Sequence, residues 1–83
     1  MPLYMDVHTI DGGIAIDEVV KARHADLQLQ GSYDVRYLRY WVDEQRGTFF
    51  CLAEAPSAEA TELVHRHAHG LVADEVYEVQ EGS

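Results

Sequence analysis

Polar and apolar residues alternate in the first segment of the chain, from Leu3 to Thr9. Leu3, Met5 and Val7 share one side of this segment, and Tyr4, Asp6 and His8 share the other. A period of two residues is typical of a β-strand, because successive side chains of a strand point to opposite faces of the sheet. The pattern therefore predicts a first strand over residues 3–9.

After the glycine pair Gly12-Gly13 the period becomes longer. Ile16, Val20, His24 and Leu27 recur at helical spacing. Asp17 and Glu18 are suited to the first turn of a helix, where the helix dipole is positive. We expect a helix from Ile16 to Leu29 that ends before Gly31-Ser32.

Two apolar segments follow, separated by a short polar one. Val35 to Val42 is rich in β-branched and aromatic residues, residues 43–47 are polar and end in a glycine, and Thr48 to Ala55 is apolar again. Two strand-like segments joined by such a turn predict a β-hairpin, and Pro56 ends its second strand.

The last third of the chain predicts a second helix and a fourth strand. Ser57 is a good N-cap, Ala60, Val64 and Ala68 form a narrow apolar stripe, and Gly70 stands where a left-handed C-terminal residue is expected. Glu75 to Val79 alternates as a strand. The resulting order, β-α-β-β-α-β, predicts one α+β domain over residues 1–83, a ferredoxin-like sandwich with a four-stranded antiparallel sheet and two helices on one face.

Such a sandwich leaves the second face of the sheet uncovered. We expect Tyr4, Asp6 and His8 on this open face, together with either Phe50, Leu52 and Glu54 or their neighbours. This mixture is too apolar to lie wholly in water. A homodimer that pairs two open faces is the simplest solution.

Composition excludes several classes of partner. Fifteen acidic residues against six basic ones give a net charge of -9, which disfavours binding to nucleic acid. No apolar stretch is long enough to cross a membrane, and the N-terminus lacks the features of a signal peptide. The single cysteine, Cys51, cannot form an internal disulfide and is typical of a reducing compartment. These observations predict a soluble cytoplasmic protein.

Three of the five histidines lie close together near the end of the second predicted helix: His65, His67 and His69. His65 and His69 are four residues apart, so that their imidazoles lie on one side of the helix and can bind one cation. Histidines at this position can also simply complement the helix dipole. Arg66 occupies the place of the glutamate in the His-Glu-x-x-His motif, which disfavours a zinc hydrolase.

Other potential ligands are scattered along the chain. In the predicted topology His8, Cys51 and His69 come to the same end of the sheet, although His8 would project away from the helices. Cys51 and His24 can alternatively be buried core residues, and the carboxylates of Asp6 and Glu54 need no partner if they point into solvent. Imidazole, carboxylate and thiol donors together suit nickel, zinc or copper.

The sequence resembles a known family over nearly its whole length. The resemblance rests on Met1 to His8, read M-P-L-Y-M-D-V-H, on Tyr37 to Trp41, on Phe50 to Pro56, and on Val64-His65 with Ala68 to Glu75. These segments are similar to the small actinobacterial nickel-binding, nickel-responsive proteins. The resemblance implies a ferredoxin-like homodimer that binds nickel, and it draws attention to His8, His24, Cys51, His65 and His69.

We therefore predict a nickel-binding protein for metal storage, sequestration or sensing, with His8, His24, Cys51, His65, His69 and Asp6 as candidate ligands. The main alternative is a dimeric α/β-barrel enzyme, a small monooxygenase or isomerase. Its substrate would lie between the open sheet faces, beside His8, Tyr40 and Trp41. This alternative rests on analogy with other proteins of the same fold. A third possibility is a dimeric interaction module without bound ligand.

Overall fold

The computed structural model of the chain describes residues 1–82. Its elements are β1 (Leu3–Thr9), α1 (Ile16–Leu29), a short 3-10 turn (Gln30–Tyr33), β2 (Arg36–Asp43), β3 (Thr48–Glu54), α2 (Ala58–Ala68) and β4 (Glu75–Val79). The expected order of strands and helices is confirmed, and the bounds of α1 and β4 agree with the sequence pattern. Ser83, the last residue of the expected single domain, lies outside the described residues.

The four strands form one antiparallel sheet in the order β2-β3-β1-β4. Strand β1 is therefore an inner strand, paired with β3 on one side and with β4 on the other. In the β1–β3 register Asp6 lies opposite Cys51. Both helices pack on one face of this sheet, which confirms the ferredoxin-like α+β fold.

The side chains of β1 face the opposite way from the prediction. Tyr4, Asp6 and His8 point towards the helices and are buried, with Asp6 and His8 each only 1% exposed. The expectation that these three residues lie on the open face is wrong. Alternation identifies two faces of a strand but does not say which one is covered, and here the polar face is inside because Asp6 and His8 bind other buried polar groups.

Helix α1 also buries a different stripe from the one expected. Ile16 and Leu27 are 46% and 41% exposed, and His24 is exposed as well. The buried residues of α1 are Val19, Ala22 and Asp26. Their spacing is helical, but the stripe includes a carboxylate, and a search for apolar residues alone passes over it.

The ends of α2 match the prediction and fix the positions of two histidines. Ser57 Oγ accepts a hydrogen bond from the Ala60 backbone N–H at the start of the helix. Gly70, with φ +81°, takes the left-handed conformation after its end. The backbone N–H groups of His69 and Gly70 both donate to the carbonyl of His65. This last turn holds His65 and His69 on the side of α2 that faces α1.

The open face of the sheet carries a broad groove of about 710 Å³. The groove is lined mainly by apolar residues, among them Leu3, Met5, Leu38, Trp41, Leu52 and Val79. Trp41 is 47% exposed, and Tyr77, which lies opposite Met5 in the β1–β4 register, is 50% exposed. Phe50, Leu52 and Glu54 alternate with the buried Cys51 and Ala53, which places them on this face. Within residues 1–82 neither helix is long and apolar enough to span a bilayer.

Candidate metal centre

The sheet contributes three donors to a buried polar cluster. Asp6 and His8 are two residues apart on β1 and therefore point to the same face, and the Nε2 atom of His8 lies 2.9 Å from Oδ1 of Asp6. Cys51 lies across from Asp6 on β3 and is also buried. The His8 ring stacks on the Phe49 ring at a centroid distance of 4.2 Å, which fixes its orientation.

Helix α2 inserts His65 above this part of the sheet. The imidazole of His65 is fully buried, and its Nε2 atom lies 2.7 Å from Oδ2 of Asp6. The hydroxyl of Tyr37 lies 3.2 Å from the same nitrogen and donates to the carbonyl of Thr61. Asp6, His8, Cys51 and His65 form the inner donor set: one ligand atom from each lies within 4.8 Å of the others.

The opposite nitrogen of His65 belongs to a second cluster. Its Nδ1 atom lies 3.0 Å from Oδ1 of Asp26 on α1 and 3.3 Å from Nε2 of His69. His69 Nε2 in turn lies 3.0 Å from the same oxygen of Asp26. The backbone N–H of Leu71 donates to Nδ1 of His69 and so orients this ring. Asp26, His65 and His69 form the outer donor set, again with ligand atoms within 4.8 Å of one another.

The two carboxylates and His65 stabilise each other's charges. Burial opposes the ionisation of Asp6, but its bonds to His65 and His8 outweigh burial and lower its pKa to about 2. Burial likewise opposes protonation of His65, yet Asp26 and Asp6 raise its pKa to about 9. The pKa of Asp26 is lowered by His65 and His69 against the effect of burial. Two buried carboxylates thus enclose one imidazolium, and the excess negative charge favours a cation.

The neutral members of the cluster are held in their protonated forms. Burial, followed by the negative charges of Asp6 and Asp26, raises the pKa of the Cys51 thiol. The same causes raise the pKa of the Tyr37 hydroxyl. In the metal-free protein the thiol is therefore a weak hydrogen-bond donor, and a bound cation would have to replace its proton.

One nitrogen of the cluster has no partner. Nδ1 of His8 is buried and makes no hydrogen bond, and it is the one such side-chain nitrogen or oxygen atom within residues 1–82. Buried polar atoms almost always find a partner, so this exception marks a place where a ligand or a water would be favourable. It lies on the opposite side of the ring from Nε2, which is the atom that faces Asp6. The carboxylate, imidazole and thiol groups of the inner donor set fit a borderline divalent metal ion.

The structure brings five of the six candidate ligands together. Asp6, His8, Cys51 and His65 form the inner donor set, and His69 joins His65 in the outer one. A single chain achieves this, because His8 faces the helices and does not project away from them as expected. His24 is exposed and belongs to neither set. His67 lies beside Tyr33 on the surface, and Glu54 lies on the open face.

Asp26 is the functional candidate that sequence reasoning missed. It is not among the six candidate ligands, yet it contacts both His65 and His69. The available signal was its position, four residues after Ala22 and seven after Val19 on one side of α1. A carboxylate in a buried helical stripe requires a polar partner from a neighbouring element.

Comparison with known proteins agrees with this picture. Residues 4–79 match the family described as "Nickel responsive protein SCO4226-like". The solved structure of SCO4226 from Streptomyces coelicolor A3(2) is similar to the chain, with a TM-score of 0.89 and 41% sequence identity over 98% of this chain and 99% of that one. No curated protein matches the chain. Because the family match covers most of the sequence, the chain belongs to the SCO4226-like family of nickel-responsive proteins.

Proposed function

We propose that the chain binds a divalent transition metal ion, nickel in the cell, through the inner and outer donor sets. The observation that supports this most directly is the convergence of six donor side chains, three imidazoles, two carboxylates and one thiol, in the interior of one small domain. Removing two carboxylates and three imidazoles from water costs free energy, and this cost must be offset by partners or by a bound ion.

Nickel is favoured over other metals by the family and not by the donors. Imidazole, thiolate and carboxylate also suit zinc and copper, and affinities generally increase towards copper. The family is described as nickel-responsive, and this description supports nickel as the physiological ion. The inferred role is storage, sequestration or sensing of nickel in the cytoplasm, where the Cys51 thiol stays reduced.

We further propose that the protein acts as a homodimer. Trp41 and Tyr77 are about half exposed on the open face, beside an apolar groove, and a soluble domain rarely leaves so large an apolar surface in water. A second copy can cover this face by presenting the same surface about a twofold axis. The donor sets lie on the other side of the sheet, so this dimer would leave them intact.

The alternative function is an enzyme that binds its substrate between two open sheet faces. Two of the three residues expected beside that substrate do not lie on the open face. His8 and Tyr40 lie on the helix side of the sheet, where His8 is 1% exposed and Tyr40 packs against the core. Only Trp41 of the three borders the groove. The expected trio beside a substrate is therefore wrong. The polar residues that line the groove are Arg39, Gln80 and Glu81.

The decisive experiment is calorimetric titration of the untagged protein with nickel, zinc, cobalt and copper chlorides. We expect nickel binding at a fixed ratio per chain, and at least a tenfold loss of affinity in the double variant His65→Ala/His69→Ala. The variant His67→Ala is the matched control, because His67 lies on the same helix but outside both donor sets. Wild-type protein that binds no nickel, or a double variant that binds as tightly as the control, would overturn the proposal.

The double variant leaves two buried carboxylates without their partner and can therefore unfold. Cys51→Ser provides a second test, since serine is similar in size and preserves the packing of β3. We expect Cys51→Ser to remain folded by circular dichroism and to bind nickel more weakly than wild type. If Cys51→Ser and the wild type bind nickel with equal affinity, Cys51 is not a ligand.

A further inference from the structure

Five of the six donors are arranged in a line from the surface to the interior, and Cys51 lies beside its inner end. The His69 side chain is 11% exposed and Asp26 is 5% exposed, followed by His65 at 0%, Asp6 at 2% and His8 at 1%. Each is within 3.0 Å of the next, from His69 to Asp26, to His65, to Asp6 and to His8. His69 is therefore the one donor of the two sets that solvent reaches to an appreciable extent.

His65 belongs to both donor sets and uses a different nitrogen in each. Nδ1 faces Asp26 and His69, whereas Nε2 faces Asp6. The two nitrogens of an imidazole point away from each other, so one ring separates an outer position from an inner one. An ion at either position can be bound by His65, and movement between the positions exchanges one nitrogen for the other.

The inner donor set is closed on its other sides. The sheet lies beneath it, the ring of Phe49 stacks on His8, and the buried side chain of Tyr37 lies beside His65. All four inner donors are buried. The outer donor set is thus the part of the cluster through which an ion from solvent can approach.

The two positions also differ in chemistry. The outer donor set offers two imidazoles and a carboxylate, whereas the inner one adds a sulfur ligand. A soft sulfur donor strengthens the binding of borderline and soft metals relative to nitrogen and oxygen donors alone. Transfer from the outer to the inner position is therefore expected to be favourable for an ion such as nickel.

We propose, on the basis of the metal-binding function above, that the two donor sets act in series: the outer set captures a divalent transition metal ion and His65 passes it to the inner set, which retains it. The proton at Nδ1 of His65 passes to the buffer when the outer set binds the ion. On transfer the ring loses its proton at Nε2 and takes one up at Nδ1, and the thiol proton of Cys51 passes to the buffer when the sulfur binds the ion. His69 and Asp26 are then positioned for uptake, and Asp6, His8 and Cys51 for retention.

Rapid mixing of untagged protein with nickel chloride, and separately with cobalt chloride, tests this order. A sulfur-to-metal charge-transfer band reports occupation of the inner position, because Cys51 is the only cysteine in the chain. We expect His69→Ala to slow the appearance of this band at least tenfold and to leave most of its final amplitude. His67→Ala, the matched control, should show the wild-type rate.

A second variant guards against a misfolded His69→Ala protein. Asp26→Asn preserves the shape of the side chain and removes the outer carboxylate, and we expect the same slow appearance of the band. Wild-type rates in both variants would overturn the serial arrangement. Nickel binding by calorimetry without a sulfur band would also overturn it while leaving the metal-binding function standing, and absence of both signals would overturn the function itself.

Discussion

The Nε2 atom of His65 lies 2.7 Å from Oδ2 of Asp6, although 59 positions separate the two residues in the chain. This contact joins the centre of the sheet to the end of α2. The contact requires that β1 is an inner strand of the sheet. It also requires that the last turn of α2 directs the His65 side chain towards the sheet. The candidate metal centre therefore forms only when the sheet and α2 are packed together.

The stability of the metal-free protein should depend on pH on both sides of a maximum. The pKa of His65 rises from 6.5 in the unfolded chain to about 9 on folding, so its contribution is complete below pH 6.5 and is lost as the pH rises to about 9. The pKa of Asp6 falls from 3.8 to about 2, so its contribution is complete above pH 3.8 and is lost below that value. We expect the highest free energy of unfolding between about pH 4 and 6.5.

Urea denaturation in the presence of a chelator, at a series of pH values, measures this profile. The decrease between pH 6.5 and 9 should be on the order of 3 kcal/mol. Asp26→Asn removes one of the two carboxylates that hold the His65 proton, so its decrease should be smaller and end at a lower pH. A free energy of unfolding that is constant from pH 6.5 to 9 would contradict the paired state of His65.

Nickel affinity should increase with pH well beyond neutrality. A bound ion must replace the proton of His65, and this proton is retained up to about pH 9 in the metal-free protein. The ion also replaces the thiol proton of Cys51, whose pKa is raised, so we expect the association constant to rise by up to about a hundredfold per pH unit between pH 6.5 and 9. Calorimetry across this range gives the slope.

The exposed His24 provides the control for this titration. His24→Ala should keep the same slope, because His24 lies outside both donor sets. If wild-type affinity were constant above pH 7, where an ordinary histidine is already neutral, His65 would not be a ligand.

Charge on the open face should separate the proposed dimer into monomers. Trp41→Glu places a carboxylate beside the apolar groove, where a paired copy would have to desolvate it. Light scattering should give about twice the 9.4 kDa chain mass for the wild type and the single chain mass for the variant. Leu27→Glu, at a similarly exposed apolar residue on the helix side, is the matched control and should remain dimeric. A monomeric wild type would rule the dimer out.

The hairpin turn between β2 and β3 should tolerate no side chain at Gly47. This glycine has φ +65°, and an added Cβ would lie 2.6 Å from the carbonyl oxygen of Ile10. Gly47→Ala should therefore lower the free energy of unfolding by about 1–3 kcal/mol. Gly31→Ala, which meets no atom within 4 Å, should change it by less than about 0.5 kcal/mol. Equal effects in thermal denaturation would contradict the close approach at Gly47.

The features that the sequence predicted correctly all have local signals. The Ser57 cap, the glycine after α2 and the period of two in β1 can each be recognised within a few residues. The pairing of His65 with His69 follows from their spacing on one helix. These signals were sufficient for the order of the elements and for the His65–His69 pair. Asp6, His8 and Cys51 were candidates because of their donor type and the family resemblance, and the side on which Asp6 and His8 lie was predicted wrongly.

What could not be predicted depends on contacts between distant elements. The face of β1 that carries Asp6 is covered because Asp6 contacts His65 on α2. Asp26 is buried because α2 packs beside α1 and brings His65 and His69 to it. Reasoning from apolar residues alone predicts that such carboxylates lie in solvent. An ionised group is buried only where oppositely charged or hydrogen-bonding partners are buried beside it, and these partners come from distant parts of the chain.

His69 differs from the other donors in its place in the backbone, because it follows the last residue of α2 while the remaining five lie within strands or helices. The inner ligands are consequently held on a rigid frame that cannot adjust its spacing to ions of different radius. His69, by contrast, is held by the helix end through single hydrogen bonds to its backbone and to its ring. Selectivity among metals would then depend on the strands and helices that hold the inner ligands, and the rate of loading on the ligand at the end of α2.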